Sequence, residues 1–558
     1  MSVRFGAFEV DLEGRRLLKR GMPITLREQS FQVLAALTER PGEIVTREEL
    51  CRRLWSSDTF VDFEVALNSA VSRLRDALGD SADSPSFIET IPKRGYRFVV
   101  PIARRPAVAV MPFVDRTVDV KDESFSDGLT DELIRVLSRI DGLRVTARSV
   151  AFRFKGQPCD ARQVGRELGV EAVLEGSVWR SGDRIRIIVN LVGAKDGFNL
   201  WAQRFDSTLG DLFDIQDTVC AAVAEALHVR LAFRALESRP SNVGAYVQYL
   251  KGEYLLKKRR PDDVRRAFEY FQEAIRLEPS YAEPYYGAAM FYNVSAAYGA
   301  LPPRTALLES EDLLTKGLAL DENSPRLQST LGMLRVFQWR WAEAKQAYKR
   351  AISLEPTNAF PHMAYPILCS FLGRHEEALS HAGKAVELEP LDLMTNFRLL
   401  QANYYSRRYE EAVRTGRIAI ELTPDSPYTC FYLALSLAAL GLKYEAWTMA
   451  NTGKKLNDGL PLGEGYFGYL AGVLGQTVEA RNVIGELEVR REKGYCPALP
   501  IAWTYLGLGE TDAGFEWLET ALAECDPFLG SAMVFPAYDA IRDHARFKRL
   551  AHQLKLST

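Results

Sequence analysis

At 558 residues the chain is too long for one hydrophobic core and calls for three or four domains. With 47% hydrophobic and 26% charged residues it falls near the averages for soluble globular proteins, which excludes a disordered, collagen-like or disulfide-stapled chain. The net charge of −3 is uneven: residues 66–105 carry seven basic side chains against four acidic, a positive excess where a nucleic-acid face would need one.

The seven cysteines (51, 159, 220, 369, 430, 496 and 525) stand far apart, with no CxxC pair and no clustered histidine to complete a zinc site, so they read as thiols of a reducing compartment. The N-terminal Met-Ser-Val-Arg-Phe-Gly lacks the pattern of an export signal. The longest nearly apolar stretch, Cys430 to Leu442, is well short of the roughly 20 residues that span a bilayer. The expectation is a cytoplasmic protein with no membrane partner.

In chain order, alternating stretches at Val3–Val10 and Arg15–Lys19 predict strands. Thr25 with Glu28 and Thr46 with Glu49 have the spacing of capping boxes, a hydroxyl cap with a carboxylate three residues on. Asp62 supplies a third cap. Helices are therefore predicted near 26–39, 46–55 and 63–78. On the third, Leu67, Val71, Leu74 and Leu78 form one apolar stripe. Ser69, Ser72, Arg73 and Asp76 then face outward, with Asn68 and Arg75 flanking. Next, Phe87 to Val100 reads as two strands around the basic turn Pro-Lys-Arg-Gly, where Gly95 can adopt the positive φ of a tight hairpin. Three helices followed by a basic hairpin make a winged helix.

Several segments over residues 3–102 resemble the OmpR/PhoB-type winged-helix family, and its CadC-like regulators in particular: Pro41-Gly-Glu-Ile-Val-Thr-Arg-Glu-Glu-Leu50, Leu54-Trp55, Ser72-Arg-Leu-Arg75, Ala77-Leu-Gly-Asp80 and Ile88-Glu-Thr-Ile-Pro-Lys-Arg-Gly-Tyr-Arg-Phe98. The resemblance implies a third helix in the major groove of double-stranded DNA and a wing in the adjacent minor groove. It places Arg73 and Arg75 where they touch bases or phosphates, and Arg94 at the wing tip. An arginine fork can bond guanine O6 and N7, while Lys93, Arg94 and Arg97 offer charge to phosphates or to a narrow minor groove. The candidate DNA-binding set is thus Asn68, Ser69, Ser72, Arg73, Arg75, Lys93, Arg94 and Arg97. Asp76 departs from the basic residue often found after Arg-Leu-Arg and would repel phosphate, although it can also accept from cytosine N4. The receiver domain and transmembrane helix of such regulators are not seen, so the input signal must enter through residues 104–558.

After the linker at Arg104-Arg105-Pro106, Ala107–Phe113 starts a small α/β domain. Helices are predicted over 127–140, from the Asp160/Gln163 cap to Leu168, and over 212–233. Strands are predicted at 143–147, 172–180, 184–192 and 199–205. Phe125 to Leu133 and Leu174 to Arg184 resemble the TolB N-terminal-like (FlgO-like) domain. Asp127, Asp131 and Glu132 read as helix-start caps and dipole partners rather than as a catalytic site.

From residue 242 the chain repeats. Pro356, Pro390 and Pro424 are spaced by 34 residues, each preceded by alanines twelve and five positions earlier, and Gly441, Gly475 and Gly509 keep the same step. This is the signature of tetratricopeptide (TPR) repeats, in which small residues let paired helices approach and proline stops the second helix. About eight repeats reach residue 527, with an insertion near 295–305. Gly463-Glu-Gly-Tyr-Phe-Gly468 matches GxGxxG, but no strand precedes it, so its glycines are packing glycines.

The fold class is therefore multidomain α+β: a winged helix-turn-helix over 1–103, a small α/β domain over 104–236, an all-α TPR solenoid over 242–527, and a capping segment over 528–558. The reading is a non-enzymatic, one-component transcription regulator without a cofactor, dimeric on DNA. Its TPR groove receives a protein or peptide partner, or the chain receives a small-molecule effector. The alternative is a TPR scaffold whose winged helix mediates protein interaction.

Overall fold

The computed structural model describes residues 2–5, 8–11, 15–19, 22–55, 63–100, 103–104, 106–117, 123–140, 142–157, 160–181, 184–229, 240–258 and 260–556. They fall into two compact units, one running through Ala107 and including Gly142–Arg144, the other from Val108 onward.

The first unit runs β1 (Ser2–Phe5), β2 (Phe8–Asp11), β3 (Arg16–Lys19), β4 (Met22–Ile24), α1 (Glu28–Glu39), β5 (Ile44–Thr46), α2 (Arg47–Leu54), α3 (Phe63–Leu78), β6 (Ile88–Ile91), β7 (Gly95–Phe98) and β8 (Ala103–Arg104). One sheet has the order β4-β3-β2-β1-β8 and the other β5-β7-β6. The stretch Val3–Val10, predicted as one strand, is a hairpin in which Phe5 pairs with Phe8. Both phenylalanines are buried. The Thr46 cap forms, its hydroxyl accepting from Glu49 N–H at 3.2 Å. The Thr25 cap does not: α1 starts at Glu28 behind an uncapped Arg27, and the Glu28 carboxylate binds Arg15 and Gln32 instead. Asp62 lies outside the described residues. Leu67, Ala70, Val71, Leu74 and Leu78 of α3 are buried against α1 and the sheets.

The second unit opens with β9 (Ala107–Val110), β10 (Val114–Asp115), α4 (Glu123–Ser138), β11 (Arg144–Val145), α5 (Arg148–Ala151), α6 (Ala161–Leu168), β12 (Ala172–Ser181), β13 (Arg184–Gly193), β14 (Asn199–Thr208) and α7 (Leu212–Ala226). Its sheet has the order β11-β9-β12-β13-β14, with β10 pairing β12. Because α4 starts at Glu123, Asp127, Asp131 and Glu132 lie past the first turn and do not cap it. Each carboxylate is held by a cation: Asp127 by Lys155 at 2.6 Å, Asp131 by Lys257 at 2.6 Å and by Arg148, and Glu132 by Arg135.

Sixteen helices follow among the described residues, in eight pairs: α8 (Val243–Lys258) with α9 (Pro261–Leu277), α10 (Glu283–Ala297) with α11 (Pro303–Leu320), α12 (Pro325–Phe337) with α13 (Trp341–Leu354), and α14 (Ala359–Phe371) with α15 (His375–Leu388). The array continues with α16 (Leu393–Tyr405) and α17 (Tyr409–Leu422), α18 (Pro427–Ala439) and α19 (Lys443–Leu456), α20 (Pro461–Val473) and α21 (Thr477–Lys493), then α22 (Leu499–Gly507) and α23 (Thr511–Ala523). Ala267, Ala274, Ala344, Ala351, Ala378, Ala385, Ala412 and Ala419 are all fully buried. Gly373, Gly441, Gly475 and Gly509 carry the positive φ of the turn inside the fourth, sixth, seventh and eighth pairs, while Trp339 and Arg407 carry it in the third and fifth. The GxGxxG match is helical: Gly465 and Gly468 in α20 let α22 approach at Pro500 and Thr504.

Successive first helices, from α8 to α22, pack on one another more closely than successive second helices do, so the first helices line the inner side. Much of that side is occupied by the chain itself. At one end α4 packs on α8, with Gly128 against Leu250. The Gln216 amide donates to Tyr246 Oη at 2.8 Å, and Ser149 N–H donates to Glu389 at 3.1 Å. Elsewhere the C-terminal segment turns inward through the 3₁₀ turns Pro527–Met533 and Pro536–Ile541 to α24 (Ala545–Gln553). Its first turn packs on α10, α12 and α14, Phe535 meets Tyr404, Tyr466 and Trp503, and Trp341 Nε1 donates to Leu554 O at 2.8 Å.

Asp526 caps the first of these turns, accepting from Phe528 N–H at 2.9 Å, and burial pushes its carboxyl up to about 7. The folded chain therefore keeps a proton that the unfolded chain releases near pH 4. That contribution is complete at acid pH and is lost as pH rises through about 7. Asp526→Asn preserves the cap oxygen without the buried charge. It is expected to stabilise the fold by about 4 kcal/mol at alkaline pH and not at acid pH, read as the difference in melting temperature between variant and wild type across the pH range.

Candidate nucleic-acid interface

The outward face of α3 and the β6–β7 hairpin form the candidate interface. Ser72, Arg73 and Asp76 are exposed on α3, and Lys93 and Arg94 are exposed at the hairpin turn. Ser69 is half-buried. The turn itself differs from expectation. Lys93, not Gly95, carries the positive φ, at 61°. Gly95 is needed for a different reason: a Cβ there would stand 2.1 Å from Val45 O, so only glycine lets β7 pair this closely with β5.

The candidate side chains separate into free and committed groups. Arg75, expected to read bases or phosphates, turns back to the hairpin: its Nη2 donates to Ile88 O at 2.7 Å and to Thr90 Oγ1 at 2.9 Å. It ties α3 to the β6–β7 hairpin. Asn68 Oδ1 accepts from Tyr96 Oη at 2.8 Å and from Arg47 at 3.1 Å, which fixes α3 against α2 and β7. Arg97 lies on β7 in a two-pronged ion pair with Glu89 at 2.8 and 2.6 Å, so its charge is largely neutralised. Arg73, Lys93 and Arg94 keep exposed charge.

Arg47 is the residue that sequence reading passed over. Its guanidinium lies 5.1 Å from the Tyr96 ring, and its backbone N–H donates to Arg94 O at 3.1 Å, so the start of α2 holds the wing tip. Only the pairing of β5 with β7 brings these residues together, and no local pattern signals it. Asp80 closes the loop after α3, accepting from Ser86 N–H at 2.6 Å and Ile88 N–H at 2.8 Å.

Residues 21–98 match the family of the transcriptional regulatory protein C-terminal domain. The N-terminal domain is an OmpR/PhoB-type winged helix. Residues 104–222 match the second domain of HilA/YgeH-like transcriptional regulators. Among similar proteins, the Salmonella typhimurium transcriptional regulator HilA is 22% identical over 67% of this chain and 68% of its own. The Escherichia coli transcriptional activator CadC is 32% identical over 18% of this chain and 19% of its own. A Rhizobium meliloti protein named putative adenylate cyclase 3 is 33% identical over 44% of this chain, which spans 42% of that relative's length. No helix among the described residues is long and apolar enough to cross a membrane.

Two substitutions separate positioning from exposure. Arg75→Met removes two hydrogen bonds between helix and wing. It is expected to lower local stability by about 1–2 kcal/mol, seen as roughly tenfold faster amide hydrogen exchange over residues 88–98. Arg73→Ala, at an exposed site, is expected to leave that exchange unchanged.

Proposed function

We propose that the chain is a sequence-specific, DNA-binding transcription regulator in which α3 enters the major groove and the β6–β7 wing reaches the neighbouring minor groove. The observation that carries this reading is the separation just described. Arg73 and Ser72 on the helix, and Lys93 and Arg94 on the wing, are exposed on a frame that Arg75, Asn68 and Arg47 hold rigid. In this reading Arg73 contacts bases or a phosphate, Ser72 adds a polar contact, and Lys93 and Arg94 supply charge. Arg75 and Asn68 act as positioning residues, Arg97 contributes little net charge, and Ser69 sits at the margin. Asp76 limits affinity for a single site, which favours binding as a pair of chains on adjacent half-sites.

The large second unit serves as input. A protein or peptide partner, or a small effector, would act on the TPR array or on the middle domain docked against it. We infer no catalytic role for the middle domain, because Asp127, Asp131 and Glu132 are each engaged in ion pairs. That engagement argues against catalysis here whatever chemistry the adenylate cyclase-named relative performs.

Genome-wide capture of bound DNA is expected to give discrete peaks that vanish in Arg73→Ala. In binding to a captured site, Arg73→Ala should cost about 1–3 kcal/mol and relax base preference, whereas Arg94→Ala should weaken all sequences alike and lower the salt slope by about one. No enrichment over background for the wild-type chain would overturn the regulator and leave the scaffold reading.

A further inference from the structure

The sheet of the second unit ends on a strand whose outer edge pairs with no other strand among the described residues. β14 is hydrogen-bonded to β13 on one side only. Otherwise it packs chiefly against α7 and the 3₁₀ turn Leu209–Asp211 that joins them. Such an edge offers a row of unpaired N–H and C=O groups to any extended chain, and proteins usually block it with proline, lysine or a bulge. The run Asn199-Leu-Trp-Ala-Gln-Arg-Phe-Asp-Ser-Thr208 has neither proline nor lysine, and its register shift lies at its start, opposite Leu191 and Val192.

The backbone tells which residues face that edge. Thr208 N–H, at the end of the ladder opposite Arg184, is turned away from β13 and donates to Asp211 at 3.0 Å. Because amides alternate in direction along an antiparallel strand, those of Asp206, Arg204 and Ala202 also point outward, and those of Ser207, Phe205 and Gln203 bond β13. The side chains divide as well. Ala202, Arg204 and Asp206 lie on an exposed face, while Trp201 and Phe205 are half-buried on the other, their rings 6.4 Å apart. Arg204 Nε donates to Asp206 at 2.6 Å, and Arg186 of β13 donates to the other oxygen of the same carboxylate.

Charge complementarity selects what covers the edge. When a second copy of β14 is laid antiparallel along the first, the residue on the twofold axis fixes every pair. An axis at Arg204 sets that arginine against itself, and an axis at Asp206 brings two carboxylates together; both are repulsive. An axis at Gln203 leaves Arg204 opposite Ala202 and Asp206 opposite Leu200. Only an axis at Phe205 sets Arg204 opposite the partner's Asp206, twice over by symmetry. In that register both charged positions have outward amides, so each pair exchanges its two backbone bonds. Phe205 meets the partner's Phe205 in the non-bonded position, where side chains stand closest. A twofold contact of this kind also closes on itself, so it yields a pair and not a fibre.

We propose that two copies of this chain join through β14 as an antiparallel pair about Phe205, with Arg204 of each chain bound to the partner's Asp206. Each Asp206 carboxylate then lies between Arg186 of its own chain and Arg204 of the other, and the two sheets run on as one. The contact is short, so the dimer is weak and reversible. It needs no DNA and stands by itself. That such a pair is the form which occupies two half-sites rests on the function proposed above.

The test uses the full chain without DNA, followed by sedimentation velocity over a range of concentrations. Wild type is expected to sediment as a reversible monomer and dimer. Arg204→Glu and Asp206→Lys each set like charges across the axis and should each weaken the dimer about tenfold. An equimolar mixture of the two variants restores both opposite-charge pairs and should recover most of the wild-type affinity, which a merely misfolded variant could not do. Register is read with Phe205→Cys, whose two thiols meet at the axis within disulfide reach. Under mild oxidation it should give a cross-linked dimer that Gln203→Cys and wild type do not. The proposal is overturned by a wild-type chain that stays monomeric at every concentration, by charge variants that dimerise as wild type does, by a mixture no tighter than its components, or by equal cross-linking from positions 203 and 205. DNA capture is read separately, so failure of the regulator leaves this result intact, and the reverse holds too.

Discussion

Close approach of helices at buried alanines is the constraint from which the larger unit follows. Ala344, Ala378 and Ala412 have no exposed surface, and a larger side chain at such a contact would force the helices apart. Because each pair closes so tightly, the first helices crowd together on the inside and the array curves. Curvature then makes contacts that no single repeat specifies. Tyr298, in the turn inside the second pair, reaches Tyr428 at the start of the sixth. Gly299 comes against Pro461 and Pro497, and Arg304 donates to Ala523 O at 3.0 Å at the end of the eighth. The insertion that interrupts the repeat period near residue 300 is thus where the array touches itself.

The winged helix follows a different rule. Its core is made by the apolar stripe of α3 and the phenylalanines of the sheets, with Phe5 packed edge-on against Phe98 at 4.8 Å. What orients its outer surface is polar. The Asn68, Tyr96 and Arg47 cluster and the Arg75 bonds to β6 fix helix and wing as one body. Arginines that look equivalent in the sequence therefore divide between holding the frame and facing outward.

Periodic features were legible from sequence because a single local signal decides each of them. The α3 stripe, the Thr46 cap and the alanine and glycine positions of the repeats are of this kind. Arg75 was not, because its bonding partners lie 13 and 15 residues away on another element. The positive φ at Lys93 went unseen for a similar reason: glycine is the usual choice there, but Gly95 is required by the approach of Val45. The carboxylates of α4 looked like caps because the helix start was placed at Asp127 rather than Glu123. Occupation of the inner face by α4 and by residues 527–556 leaves no mark in the repeat pattern, since it depends on curvature summed over many pairs.

Helical-repeat arrays ordinarily behave as springs, because each repeat touches only its neighbours. This one is braced across its coils. The middle domain grips the first pair through Lys257 and the end of the fourth through Glu389. The C-terminal segment fastens the third pair through Trp341 and the fifth through the ion pair of Arg407 with Asp539 at 2.7 Å. Under tension such a body cannot pay out one repeat at a time. It resists as a block, and any force or ligand that opens one strut is felt at once by the coils that strut had joined.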